Sequence, residues 1–138
     1  MQLSSNGNIF DGSSERASVS GEIAGKGNRI ASIGRCVQRP ADAQIIDLSD
    51  RTVAPGFVDT HVHLTMDAEN LPQQTLQSSA GKALKGLSRA REYMNCGFTT
   101  LRDLGTADPE WPTVDLRNAI NAGVVEGPRL NRSRAHPE

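Results

Sequence analysis

Short apolar segments separated by turn residues make up the first third of the chain. They lie at residues 9–10, 19–23, 30–33 and 45–48. Their length and their β-branched residues predict small antiparallel strands. A Gly-Lys-Gly-Asn sequence at residues 25–28 tolerates positive φ, so a β-hairpin is predicted over residues 19–33. The pattern therefore predicts a small β-rich N-terminal domain over residues 1–52.

Beyond residue 52, strand patterns alternate with helix patterns. Residues 53–63 and 98–103 predict two strands, and residues 127–130 begin a third extended segment. Alternating strands and helices favour parallel pairing through right-handed crossovers. Residues 131–138 break the pattern, because Asn and Arg stand where a buried parallel strand would continue with Val, Ile or Leu.

Two helices are predicted between these strands. From Ser78 or Ser79, apolar residues that include Leu84 recur at steps of three and four, and Gly97 stands where such a helix would end. The basic residues predicted on the solvent face of this helix are Lys82, Lys85, Arg89 and Arg91. A second, shorter helix is predicted over residues 116–122, with Asp115 as its N-cap.

Charge and composition exclude some functions. The chain has 15 Lys and Arg against 16 Asp and Glu, so no basic surface for nucleic acid is predicted. Its apolar runs fall far short of the roughly 18 residues that span a membrane. Cys36 and Cys96 lie 60 positions apart and are expected to be reduced thiols. Because the first residues lack the pattern of a signal peptide, a cytoplasmic location is expected.

The candidate chemistry lies in the segment APGFVDTHVHL, residues 54–64. In a strand, residues two apart face the same side at a spacing of roughly 6.6 Å, which predicts that Asp59, His61 and His63 share a face. The residues predicted on the opposite face are Val58, Val62 and Leu64. Two neutral imidazoles on one face suit a divalent ion, and a nearby carboxylate can orient such a ligand. The alternative is a partly buried strand whose histidines only satisfy hydrogen bonds.

Residues 55–63 resemble the first barrel strand of the amidohydrolase superfamily, whose signature reads Pro-Gly-hydrophobic-Ile/Val-Asp-x-His-x-His. The resemblance extends to both sides of this segment. Residues 6–12, 27–34 and 45–47 are similar to the small β domain that precedes the barrel, and residues 97–105 and 119–130 to the following strands. The branch most resembled is that of prolidase-like and imidazolonepropionase-like hydrolases.

The resemblance implies a divalent metal centre of one or two ions, with zinc favoured, at the C-terminal face of the barrel. It makes His61 and His63 metal ligands and identifies no catalytic residue in this chain. Support of a ligand histidine by Asp59 is predicted from the strand alternation alone. The implied reaction is hydrolysis of a C–N bond in an amide, peptide or cyclic amide by metal-activated water. The implied substrate is a small molecule or a dipeptide, including one of the Xaa-Pro type. A homo-oligomer of the full-length enzyme is left open.

The predicted fold class is α/β, with the N-terminal part of a small β-sandwich domain followed by the first units of an incomplete (β/α)8 TIM barrel over residues 53–130. A complete barrel takes about 250 residues, whereas residues 53–138 supply only 86. Catalytic zinc needs about three protein ligands, and the third histidine, His136, lies in the off-pattern tail at residues 131–138. The chain is therefore expected to be an inactive N-terminal piece of a longer hydrolase.

A different class of function keeps the 138 residues as the whole product. In that interpretation the chain is a small β-rich interaction module without catalytic activity, which pairs its open sheet edges with another chain.

Among other polar residues, Asp103 is predicted to cap the turn that follows its strand. Arg102 and Arg129 are predicted to be exposed and are not assigned to the site.

Overall fold

A computed structural model describes most of the chain as two compact units, Met1–Pro55 and Gly56–Glu138. The residues described are 2–13, 15–16, 18–39, 41–49, 51–66, 71–74, 76–105 and 108–132. Within this part of the chain, no helix is long and apolar enough to cross a membrane. The architecture is a mixed α/β one, as predicted.

The first unit is a five-stranded sheet. Its strands are β1 (Gln2–Ile9), β2 (Ser18–Lys26), β3 (Arg29–Gly34), β4 (Gln44–Asp47) and β5 (Thr52–Val53). The order is β3-β2-β1-β4, and β5 also pairs with β1. β2 and β3 form the predicted antiparallel hairpin, in which Lys26 pairs with Arg29 across a two-residue turn with Gly27 at φ 60°.

The prediction of antiparallel pairing throughout this sheet is wrong at one edge. β4 and β5 both run parallel to β1 and pair with successive parts of it, so that together they form one interrupted edge strand. The break between them includes Ser49, at φ 47°. The chain reaches β4 from β3, at the other end of the strand order, through residues 35–43, which is longer than the tight turn of an antiparallel hairpin. Only one sheet layer is described here, so the predicted β-sandwich stays a prediction.

The second unit is a three-stranded parallel sheet with helices between its strands. The strands are β6 (Phe57–Val62), β7 (Phe98–Asp103) and β8 (Arg129–Arg132), and the helices are α1 (Leu71–Gln74), α2 (Ser79–Asn95) and α3 (Pro112–Asn121). The order β6-β7-β8 confirms the predicted parallel pairing of neighbouring strands.

The strand predicted over residues 53–63 is in fact two strands in two sheets. Val53 belongs to β5, whereas β6 begins only at Phe57. Pro55 separates them because it cannot donate a backbone hydrogen bond to a ladder. In the second unit, Asn131 and Arg132 continue β8, where they pair with Arg102 and Asp103. The predicted break of the strand pattern at residue 131 is therefore wrong.

The ends of α2 are those predicted. Ser78 is the N-cap, and its hydroxyl accepts a hydrogen bond from the amide of Gly81 at 3.1 Å, while Gly97 follows the helix at φ 92°. α3 begins four residues earlier than predicted, at Pro112, with Trp111 as its N-cap. Asp115 therefore lies in the first turn and not at the cap. The proline explains the early start, because its fixed φ suits the first helical position.

One face of the second sheet carries the core of this unit. The buried residues are Val62, Leu64, Ala90, Leu101, Leu116 and Leu130. Apart from Leu64, which follows β6, they come from all three strands and from both longer helices, so the helices cover this face of the sheet. Leu84 belongs to the predicted apolar stripe of α2 but is 70% exposed, because α2 contacts the core with Ala90 instead.

Candidate metal centre

The segment that carries both candidate histidines contains a β-bulge. Asp59 pairs with Leu101, and Val62 pairs with Asp103. Between these two pairs β6 advances by three residues, whereas β7 advances by two. One extra residue in a strand shifts the alternation of its side chains. Asp59 and Val62 consequently lie on the same side of the sheet, because their partners in β7, Leu101 and Asp103, are two positions apart.

The simple alternation predicted for residues 58–64 is therefore wrong. Val58, expected to pack on the same layer as Val62, is 59% exposed, whereas Val62 is only 4% exposed. A regular strand would place these two residues on one face, since they are four positions apart. The bulge removes that relation, and the sequence alone carries no signal for it.

His61 and His63 are nevertheless brought together at the C-terminal end of β6. Their ring centres lie 5.5 Å apart and the ring planes are inclined at 69°. Two imidazoles that bind one tetrahedral ion at 2.0–2.1 Å have ring centres about 5 Å apart. The pair is thus spaced for a shared divalent ion, with His61 exposed and His63 half-buried.

A backbone carbonyl holds the ring of His63. Its Nδ1 lies 2.8 Å from the carbonyl oxygen of Gly105. Because a carbonyl oxygen only accepts hydrogen bonds, Nδ1 must carry the proton. In the neutral ring, Nε2 then keeps its lone pair, which is the form that binds metals. The donor set of the two histidines therefore fits a divalent metal.

Backbone and side-chain bonds tie the ends of β6 and β7 together around His63. The amide of Leu104 donates to the carbonyl of Val62 at 2.9 Å. The fully buried carboxylate of Asp103 accepts from the amide of Gly105 at 2.6 Å, which confirms its predicted turn-capping role. Its other oxygen accepts from the amide of Leu64 at 2.8 Å. That second bond joins residues 39 positions apart, and no local pattern predicts it.

Arg89 and Lys82 do not lie on a solvated face of α2, contrary to the prediction. Arg89 donates through Nη1 to the carbonyls of Leu64 at 2.9 Å and Met66 at 2.6 Å. Those carbonyls follow the end of β6, where the strand ladder no longer supplies donors. Lys82 forms an ion pair with the almost fully buried Asp108. Spacing along a helix shows which residues share a face, but it does not show which distant residues contact that face.

Asp59 is held by the chain itself. Its carboxylate accepts a hydrogen bond from the backbone amide of His61 at 3.0 Å. This contact fixes the strand next to the bulge, and the predicted support of a metal-bound ring by Asp59 stays a prediction. The described part of the chain brings together no group of three or more His, Cys, Asp and Glu side chains that could hold a metal ion. His136 lies outside the described residues.

Comparison with known proteins gives the family. The profile of the family described as Amidohydrolase family matches residues 52–137, which is more than half of the chain. The chain belongs to the amidohydrolase family. This confirms the resemblance that rests on the segment with the two histidines.

Individual amidohydrolase relatives are similar over most of this chain but over a small part of their own. A dihydroorotase of Anoxybacillus flavithermus is 32% identical over 112 residues, which cover 75% of this chain and 24% of that relative. A prolidase crystallised with N-methylphosphonate-L-proline superimposes with a TM-score of 0.82 at 30% identity, covering 96% of this chain and 31% of its own. For a Xaa-Pro dipeptidase with bound methionine, the TM-score is 0.80, also at 30% identity, over 96% and 32%. The chain thus spans about a quarter to a third of these proteins.

Proposed function

We propose that this chain contributes His61 and His63 to the metal centre of an amidohydrolase that cleaves C–N bonds. The observation that carries the proposal is the pair of rings 5.5 Å apart, with Nε2 of His63 left available by the carbonyl of Gly105. The parallel order β6-β7-β8, with helices between the strands, supports the interpretation of the second unit as the first part of a (β/α)8 barrel. Barrel enzymes carry their active sites at the C-terminal ends of the strands, where both histidines lie.

The two histidines would bind the metal, and Asp59 would hold the backbone amide of His61. When bound, a divalent ion supplies Lewis acidity, which activates water and polarises the carbonyl group of the C–N bond. Zinc suits two imidazoles, but a catalytic zinc takes about three protein ligands. The remaining donors are therefore expected from later strands of the family fold. The 138-residue chain by itself is expected to be inactive.

The proposed substrate class is an amide, a peptide or a cyclic amide. The prolidase and the Xaa-Pro dipeptidase, each 30% identical, support a dipeptide that ends in proline. The dihydroorotase relatives support a cyclic amide as the second candidate. Loops after later barrel strands would choose between these substrates, because such loops carry the binding residues of barrel enzymes.

Metal content and hydrolysis test the proposal. The coding region that contains this chain is expressed to its natural stop, and metal in the purified protein is measured by mass spectrometry. We expect one to two divalent ions per chain and hydrolysis of an Xaa-Pro dipeptide or a cyclic amide that a chelator abolishes. His61→Ala and His63→Ala should each lower metal content and reduce the rate by at least about a hundredfold.

His136→Ala is the matched control, because it removes the only other histidine of the chain and no ligand role is proposed for it. It should leave metal content and rate unchanged. Full metal content and activity after both His61→Ala and His63→Ala would contradict the proposal. A protein without metal that forms one defined complex with another chain would instead support the interaction-module interpretation.

A further inference from the structure

Asp103 is fully buried at the end of β7, and both of its carboxylate oxygens accept backbone hydrogen bonds. One oxygen accepts from Leu64, the residue that follows His63 in the chain. The other accepts from Gly105, whose carbonyl oxygen holds Nδ1 of His63. A single side chain thus holds both backbone segments that set the position of the His63 ring.

The geometry needs an acceptor at both oxygens. An ionised carboxylate only accepts hydrogen bonds, so it can satisfy two amide N–H groups at once. A carboxamide has one accepting oxygen and one donating nitrogen, and it would oppose one of those N–H groups with a donor. The amide that loses its partner would be Leu64 or Gly105. Either loss moves a residue that positions His63.

We propose that Asp103 is a positioning residue that sets the tautomer of His63. By holding Gly105 in place, Asp103 keeps the carbonyl of that residue directed at Nδ1 of His63, so the proton stays on Nδ1 and Nε2 presents its lone pair. This step deepens the proposed function and rests on it for its purpose, since Nε2 is then the atom offered to the metal. Asp103 itself touches neither metal nor substrate.

Nitrogen NMR of the metal-free chain tests the proposal directly. The protein has only three histidines, so selective ¹⁵N-histidine labelling gives few signals. The spectra are recorded at a pH of about 8, so that the two neutral tautomers of the ring are compared. In the wild-type chain we expect His63 in the Nδ1–H form. In Asp103→Asn, the population of that form should fall to about that of a solvent-exposed histidine.

Asp108→Asn is the matched control. It makes the same substitution at another buried carboxylate of the second unit, whose partners include Lys82, Ser79 and the backbone amide of Glu110. A general loss of stability would disturb both variants alike, whereas positioning predicts a tautomer change in Asp103→Asn alone. An unchanged tautomer in a folded Asp103→Asn variant, or an equal change in Asp108→Asn, would overturn the proposal.

The wild-type spectrum decides the case in which Asp103→Asn does not fold. Finding His63 mainly in the Nε2–H form in the wild-type chain would overturn the proposal, because Nδ1 would then have no proton to donate to the carbonyl of Gly105. The metal content of the protein expressed to its natural stop separates the two hypotheses. The Nδ1–H form in the wild-type chain, together with an absence of metal from that longer protein, would contradict the proposed function and leave the positioning role intact.

Discussion

At the scale of single residues, local chemistry predicted the candidate ligands, and distant contacts decided how they are held. His61 and His63 stand out in the sequence because two histidines two positions apart in an extended strand are predicted to share a face, and the structure places their rings 5.5 Å apart. The capping role of Asp103 is also local, since its partner Gly105 is two residues away. Its bond to Leu64 was not predictable, because it depends on how β6 and β7 pair.

Asp108 gives a pH-dependent prediction at the same scale. Lys82 donates a hydrogen bond to its carboxylate, and this is the main reason why the pKa of Asp108 lies below its ordinary value of 3.8; burial opposes the effect, and Ser79 adds to it. A depressed folded-state pKa stabilises the fold above the unfolded pKa, and this contribution is lost as pH falls through the folded pKa.

Asp108→Asn should therefore lower the free energy of unfolding at pH 7 by about 1 kcal/mol. The difference from the wild-type chain should shrink as the pH falls below about 4, where the unfolded carboxyl is protonated. Urea unfolding over a series of pH values measures this. A difference that stays constant down to acid pH would show that the charge of Asp108 does not stabilise the fold.

At the scale of elements, the rules for helix and strand ends worked where they depend on neighbouring residues. Ser78 and Gly97 mark the ends of α2 in the sequence and in the structure, because capping is a contact within one turn. The predicted start of α3 at residue 116 is wrong, because Pro112 suits the first helical position and the helix begins there. The exposure of Leu84 shows that the apolar stripe of a helix is only partly used when few elements pack on it.

Gly86 provides a test of how closely α2 packs. A Cβ at this position would lie 2.9 Å from Cγ2 of Thr65 and 3.3 Å from Cδ2 of Leu116. Alanine in a helix interior normally stabilises by about 0.5–1 kcal/mol relative to glycine, but overpacking costs about 1–3 kcal/mol. Gly86→Ala should therefore destabilise the second unit by about 1–2 kcal/mol in denaturant unfolding.

The same helix supplies the control for this prediction. At Gly81 a Cβ would meet only the hydroxyl of Ser78, at 3.4 Å, which is an ordinary contact. Gly81→Ala should leave the free energy of unfolding unchanged or raise it by up to about 1 kcal/mol. Stabilisation by both substitutions would mean that α2 does not pack closely against Thr65.

At the scale of the whole molecule, each unit exposes apolar side chains. In the first unit Ile30 is 65% exposed and Ile45 is 60% exposed, and in the second Phe57 and Val58 are 55% and 59% exposed. Exposed apolar patches and incomplete sheets favour association. The 138-residue chain alone should therefore be marginally stable or prone to aggregate. Sedimentation and calorimetry check this, and cooperative unfolding of a monomer would contradict it.

The sequence by itself determined the kinds of most elements, the ends of α2 and β7 and the pair of candidate metal ligands. These depend on contacts within a few residues, such as hairpin turns, helix caps and the spacing of two histidines along a strand. Only the tertiary structure decided the parallel edge of the first sheet, the bulge before Val62 and the partners of Arg89 and Asp103. Those features join residues that are far apart in the chain, and their energy exists only once the strands have paired and α2 has packed on them.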